Sequence, residues 1–402
     1  MLGAIYTGLS GMNAYSEGLM MISNNVANLN SPGYKGNFLS FNSMFSQGGS
    51  FLGSRNGRTG YGVSLGSGFI DFSQGQLQQS SNPLDLAIQG AGFLTLLNGD
   101  NVYYARTGSF AVDRDGFISD AQGNHLAVLN EDGTTSAFDI NPFKTSAPVA
   151  TTLINFADNL SADGDGTTVA NIKVFDSLGG EHNWSVKFEK VTTTTPDGET
   201  IPDGDHAWKV TVTDANGNEV EGSGMIAFKS DGHIDPDFST LTMTEDAEGT
   251  SPLSVELDFS DVTAFAQGTT NTIHSKTVDG NGMGTLSAVG VTAEGQIELT
   301  YSNGKTEKKG FVALTDFDDP QMLQRIGNGL WRDPGRQEAR HVASGTNGVG
   351  TLMPGELEAS NVNLSAEFGQ LILIERGFQA CSQVVSISNE MIQTLFGMRG
   401  QG

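Results

Sequence analysis

The residues of this chain best suited to chemistry form an alternating run, Asp231-x-His233-x-Asp235-x-Asp237, with a potential metal ligand on every second position. Carboxylates and an imidazole in such a row could hold a cation. Gly232 and Pro236 lie inside the run, however, and the same composition makes a solvated turn, which is the expected outcome. Asp163-Gly164-Asp165-Gly166 resembles a calcium loop only superficially, because it lacks the Asp-x-Asp-x-Asp-Gly spacing and the later bidentate glutamate. It reads as a hairpin turn. The histidines (His125, His182, His206, His233, His274, His341) are scattered, with no His-x-x-x-His pair and no cysteine near any of them, so zinc has little support. Gly90-Ala91-Gly92 precedes a strand pattern and lacks the helix start that cradles phosphate. Asp and Glu are abundant, but no pair is marked as catalytic. The expectation is a protein that is not an enzyme and uses no cofactor or metal.

The elements that would have to position any site are more informative. At the amino end Leu2, Ile5, Leu9, Met12, Leu19, Ile22, Val26 and Leu29 recur at steps of three and four, with Ser16 the one polar gap. At the carboxyl end the series is Leu364, Phe368, Leu371, Ile374, Phe378, Cys381, Val385, Ser388, Ile392 and Leu395. Such spacing keeps apolar side chains in one seam that needs another helix to cover it. Each end offers the partner the other lacks, so the ends should meet. Residues 1–34 hold one charged side chain, Glu17, and otherwise alternate the seam with Gly, Ser, Asn, Ala and Thr. A surface helix ordinarily carries charge opposite its apolar stripe. The lack of it predicts burial among several neighbouring helices, as in an assembly of many copies.

Between the ends the grammar is β. Asn98-Gly99-Asp100 reads as a hairpin turn between Phe93–Leu97 and Val102–Tyr104. Trp184, Val186 and Phe188 alternate with polar residues, as do Trp208, Val210 and Val212, which marks sheets with one buried face. The expected fold is mainly β with a terminal α-helical coiled coil, in a nested order. Helices at 1–30 and 358–402 form an inner coiled-coil domain, and Gly-rich connectors occupy 31–70 and 343–357. A discontinuous inner β domain takes 71–144 and 276–342, and an outer acidic β-sandwich or barrel takes 145–275.

The chain has 402 residues and a net charge of −25, which argues against nucleic-acid binding, since that needs clustered Lys and Arg, and against an anionic membrane surface. Residues 131–275 hold 25 Asp and Glu against six Lys and no Arg, so this segment should face solvent. One cysteine excludes an internal disulfide, and Cys381 sits in the seam, where a thiol packs as a small apolar group. No run reaches the roughly 18 apolar residues of a membrane span. No cleavable secretory signal is visible, since no Lys or Arg precedes Lys35.

Three segments resemble the blocks of the flagellar rod–hook axial protein family. The first runs from Thr7-Gly8-Leu9-Ser10-Gly11-Met12-Asn13-Ala14 into Asn24-Asn25-Val26-Ala27-Asn28 and on through Pro32-Gly33-Tyr34-Lys35. The second is Asp85-Leu86-Ala87-Ile88-Gln89-Gly90-Ala91-Gly92-Phe93, followed by Tyr104-Ala105-Arg106-Thr107-Gly108-Ser109-Phe110. The third is Gly355-Glu356-Leu357-Glu358-Ala359-Ser360-Asn361-Val362, then Glu375-Arg376-Gly377-Phe378-Gln379-Ala380, where Glu375 and Cys381 replace the Gln and Asn usual in the family. The insert of about 130 residues resembles that of hook-type members. The resemblance implies a helical homopolymer, a curved tube acting as a universal joint that carries motor torque from rod to filament. It also implies export through the flagellar type III apparatus and partners in the rod, the hook cap and the hook–filament junction. The alternatives are a distal rod protein with an inserted domain and a secreted β-domain adhesin.

Overall fold

The two periodicities of the sequence become two kinds of element. The computed structural model describes residues 2–38, 41–43, 63–65, 68–191, 206–245 and 251–399. Helix α1 spans Leu2–Ala27 and helix α2 spans Leu364–Arg399. α2 starts where Asn363 caps it, its Oδ1 accepting from the amides of Ser365 and Ala366 at 3.0 and 3.2 Å. α1 ends short of Pro32, and Gly33 takes φ 67°, a left-handed turn that a side chain would strain. The chain divides into two compact units, one of Met1–Asn141, Val289–Glu298 and Lys308–Gly402, the other of Pro142–Ala288 and Leu299–Glu307.

The first unit holds both helices and a β region. Its central strand, Phe93–Asn98, pairs antiparallel with Asn101–Ala105 across the hairpin at Gly99, and with His125–Leu129 and Leu314–Asp316. Leu330–Arg332 extends the pairing beside Asn101–Ala105. Phe93, Tyr104, Phe317, Leu323 and Trp331 fill a core under these strands, with Tyr104 edge-on to Phe317 at 4.8 Å between ring centroids. A second group brings distant segments together: Asp85–Gln89 pairs with Thr107–Ser109 and with Thr351–Pro354, and Leu77–Gln79 pairs with Glu356–Glu358.

That pairing corrects one sequence expectation. The Gly-rich stretch 343–357 is not a free connector, because its second half supplies two strands whose backbone groups are taken up by residues 77–79 and 86–89. Glycine content signalled looseness, but the ladder is made by the main chain and does not depend on side chains. The connector reading of 39–40, 44–62 and 66–67 falls outside the described residues.

The second unit is a sandwich of two four-stranded sheets. One runs Thr240–Glu245, Leu253–Thr263, Leu153–Asn159, His274–Val278; the other runs Gly166–Phe175, Glu181–Val191, His206–Thr213, Gly224–Phe228. The alternating residues Trp184, Val186, Phe188, Trp208, Val210 and Val212 are all fully buried in one core with Phe156 and Phe259. This unit reaches beyond the 145–275 span expected of the outer domain. Residues 276–288 and 299–307, expected in the inner β region, belong to it. Strand pairing explains the shift at one edge, where Thr145 faces Thr285 and Ser146 faces Gly284.

Candidate assembly surface

α1 and α2 meet along their lengths, antiparallel, through small residues. Gly8 lies against Val385 and Gly11 against Cys381; a methyl group on Gly11 would sit 2.6 Å from the Cys381 Sγ. Farther along, Tyr15 covers Gly377, where a methyl group would come within 2.3 Å of the ring. The positions of α1 turned inward are Gly8, Gly11, Ala14, Gly18, Ile22 and Asn25. Small side chains shorten the distance between helix axes, so the two backbones approach closely.

The seam read from sequence is therefore rotated from the face that packs. On α1, Ile22 is buried, Ile5, Met12, Val26 and Leu29 are half-buried, and Leu9 and Leu19 are exposed. The side chain of Leu2 lies outside the described residues. On α2, Ile374 is buried and Leu371, Cys381, Val385 and Ile392 are half-buried on the inward side, whereas Leu364, Phe368, Phe378 and Leu395 point to solvent. The sequence stripe selected the largest apolar side chains, but the closest approach of two helices selects the smallest. The glycines at 8, 11 and 18 with Ala14 were the available signal.

What remains outside is a large apolar surface. Leu9 is 54% exposed and Leu373 71%, and Tyr6, Met20, Ile372, Ile387, Met391 and Phe396 are exposed with them. A groove of about 620 Å³ opens on the pair, lined by Tyr6, Leu9, Ser10, Met12, Asn13, Ser16 and Phe378. Exposed apolar surface contiguous along a helix pair marks an interaction site.

Behind the pair, the motif residues form one polar network. Lys35 Nζ and Glu358 Oε1 lie 2.7 Å apart with both side chains fully buried, and Arg106 Nε reaches Glu358 Oε2 at 3.3 Å. Arg106 also donates to the carbonyls of Gly90 at 2.6 Å and Gly92 at 2.5 Å. Those two glycines hold φ of 106° and 107°, and Phe93 follows in the aromatic core below the guanidinium. Burial pushes the Lys35 ammonium and the Arg106 guanidinium down, and Glu358 opposes both shifts. Gly33 donates its amide to the Glu358 carbonyl at 2.7 Å.

Asn25 ties the helices to this network. Its Nδ2 donates to Glu367 Oε1 and to the Asn37 carbonyl, each at 2.9 Å, and its Oδ1 accepts from the Tyr34 hydroxyl at 3.2 Å and the Asn37 amide at 3.0 Å. Asn361 accepts from Gly36 N at 2.8 Å and donates to the carbonyls of Asp71 and Ser73. Ser360 Oγ accepts from Val362 N, and Val362 packs near Gly36. Asn28 folds back onto Asn24 past Ala27, closing the end of α1. Sequence reasoning singled out these asparagines but not Arg106, Glu358 or Glu367, although all three stand within or beside the blocks that carry the resemblance.

The candidate ligand run is a turn. Asp231 Oδ1 accepts from the His233 amide and Asp235 Oδ1 from the Asp237 amide, capping a 3-10 turn over Pro236–Phe238. Among the described residues, no group of three or more His, Cys, Asp or Glu is placed to hold a metal ion.

Three families match along the chain. Residues 5–35 match the flagella basal body rod protein family, 120–281 the flagellar basal body protein FlaE D2 domain, and 353–398 the flagellar basal body rod FlgEFG protein C-terminal family. The flagellar hook protein FlgE of Escherichia coli is 28% identical over 97% of this chain and 98% of its own length. That of Treponema pallidum is 25% identical over 99% and 100%. The basal-body rod protein FlgG of Bacillus subtilis is 23% identical over 99% and 100%. The Helicobacter pylori hook protein FlgE2 crystal structure aligns with 70% of this chain and 100% of that chain, at 14% identity and a TM-score of 0.45. Matched at both helical ends and through the sandwich between them, the chain belongs to the flagellar hook protein family.

Proposed function

We propose that this chain is the structural subunit of a flagellar hook, polymerising into a curved tube that bends while transmitting torque from rod to filament. The exposed apolar face of the helix pair carries the reading. A helix pair with one surface packed and large apolar side chains open to water on the other is half of an interface. Contacts between unlike faces generate helical filaments wherever the rotation from copy to copy does not close a ring. The acidic sandwich, with its charge in solvent, suits the outside of such a tube. The subunit leaves the cell through the flagellar type III apparatus. It joins the rod at one end and the hook cap and hook–filament junction at the other. We assign the packing of neighbouring subunits to the seam residues that the pair leaves open or half-open, foremost Leu9, Leu19, Leu364, Phe368, Phe378 and Leu395, which are exposed.

The test is electron microscopy of the purified, concentrated protein beside Leu9→Asp. The expected result is curved tubes from the parent chain and none from the variant, whose sandwich still melts normally. Straight, rigid tubes would favour the distal rod reading. A small closed oligomer would favour the adhesin.

A further inference from the structure

The geometry points to an ion pair between copies of this chain, Glu17 of one subunit with Arg376 of the next, that sets the lateral register of the helix pairs. The inference rests on the assembly proposed above and names a contact within it.

Glu17 is the only charge in residues 1–34, and Arg376 is the only cation of α2 before its last residue. Both are exposed, and neither has an ion-pair partner among the described residues. Glu17 accepts only a long hydrogen bond from Asn13 at 3.4 Å, and Arg376 donates to Gln379 at 3.3 Å. Each stands on a mixed face of its helix, Glu17 among Asn13, Met20 and Asn24 and Arg376 among Ile372, Leu373 and Gln379, with exposed apolar side chains beside it. Tyr6 and Met20, 70% and 63% exposed, share the face of Glu17; Ile372 and Ile387, 58% and 51% exposed, share that of Arg376. Where a neighbour covers these apolar side chains, the charges beside them leave water as well. An isolated charge cannot be buried at acceptable free energy, so each needs a counter-charge.

Their heights match. Tyr15 packs on Gly377, which fixes the level of the two helices. From that level Glu17 lies two residues on along α1 and Arg376 one residue back along α2. Because the helices are antiparallel both steps go the same way, and the two residues differ in height by about 1.5 Å at the usual rise. Pairs set side by side at one level therefore bring the Glu17 of one copy to the Arg376 of the next. A pair slid by one turn would bury both charges alone.

Charge exchange tests this. Glu17→Arg and Arg376→Glu should each raise the concentration needed for polymerisation at least tenfold, with circular dichroism and sandwich melting unchanged. The double variant Glu17→Arg/Arg376→Glu should recover assembly. Mixing the two single variants should also recover it, because each then meets an opposite charge on its neighbour. Recovery in the double variant but not in the mixture would place the pair within one chain and overturn the inference. So would single variants that polymerise normally while Leu9→Asp does not. Normal tubes from Leu9→Asp as well would overturn the assembly reading beneath it. As an independent measurement, Glu17→Cys and Arg376→Cys chains, each carrying Cys381→Ala, are polymerised together and oxidised. Linked dimers are expected, and none would count against the contact.

Discussion

Lys35 and Glu358 stand 323 residues apart in the chain and 2.7 Å apart in space, both side chains closed off from water. Glu358 is also the carboxylate for Arg106 and accepts the Gly75 amide at 2.7 Å. One side chain thereby closes a loop from the end of α1 to the strand leading into α2.

Removing Glu358 should therefore be far more damaging than its single position implies. Glu358→Ala leaves two buried cations without a carboxylate, a change that costs about 3–5 kcal/mol in comparable pairs. We expect thermal unfolding of the first unit to fall by that amount, while the transition of the sandwich stays in place. Calorimetry that separates the two transitions checks this, and a loss under about 1 kcal/mol would contradict it.

Gly11 faces Cys381 too closely for any side chain. Gly11→Ala should weaken the packing of α1 on α2 by about 1–3 kcal/mol, the usual effect of overfilling a tight contact. The same substitution with Cys381→Ala should recover most of that loss, because the sulfur is the atom in the way. Hydrogen exchange of the α1 amides in both variants provides the readout.

Much of this architecture was legible before the structure. Alternation placed Trp184, Val186, Phe188, Trp208, Val210 and Val212 in a sandwich core, because a period of two has one meaning when it is long and aromatic. The Asn98-Gly99-Asp100 turn was equally plain. The rotation of the helix seam was not, because apolar size marks burial somewhere, and in a chain that packs on two sides it does not say which side is internal. Arg106, Glu358 and Glu367 were hidden for a different reason. Charged residues are ordinarily solvated, and only pairing across hundreds of residues makes their burial tolerable.

That two-sided packing predicts opposite effects from two leucine-like positions thirteen residues apart. Ile22 is buried within the chain and Leu9 is not. Ile22→Ala should destabilise the first unit by about 2–5 kcal/mol, as buried aliphatic truncations do. Leu9→Asp should change its unfolding by no more than about 0.5 kcal/mol, the range of surface substitutions, while abolishing sedimentable polymer. Unfolding and sedimentation measured on the same two variants separate the internal face from the external one. The division is wrong if both variants behave alike.

Acid should tighten the docking of α1 on α2. Glu367 is 5% exposed; its Oε1 accepts from Asn25, and its Oε2 is buried with no hydrogen-bond partner among the described residues. Burial raises the carboxyl above its ordinary range, with the Asn25 hydrogen bond opposing. The folded form then holds a proton that the unfolded chain has already released. The associated stability is complete below the ordinary glutamate range and is lost as pH rises through the elevated folded value. Glu367→Gln keeps an acceptor for Asn25 and cannot ionise, so it should remove this dependence and protect the α1 amides at neutral pH as well as the parent protects them in acid. Exchange rates corrected for intrinsic pH dependence make the comparison. A parent whose α1 protection rises with pH would show that the buried oxygen finds a donor and stays ionised.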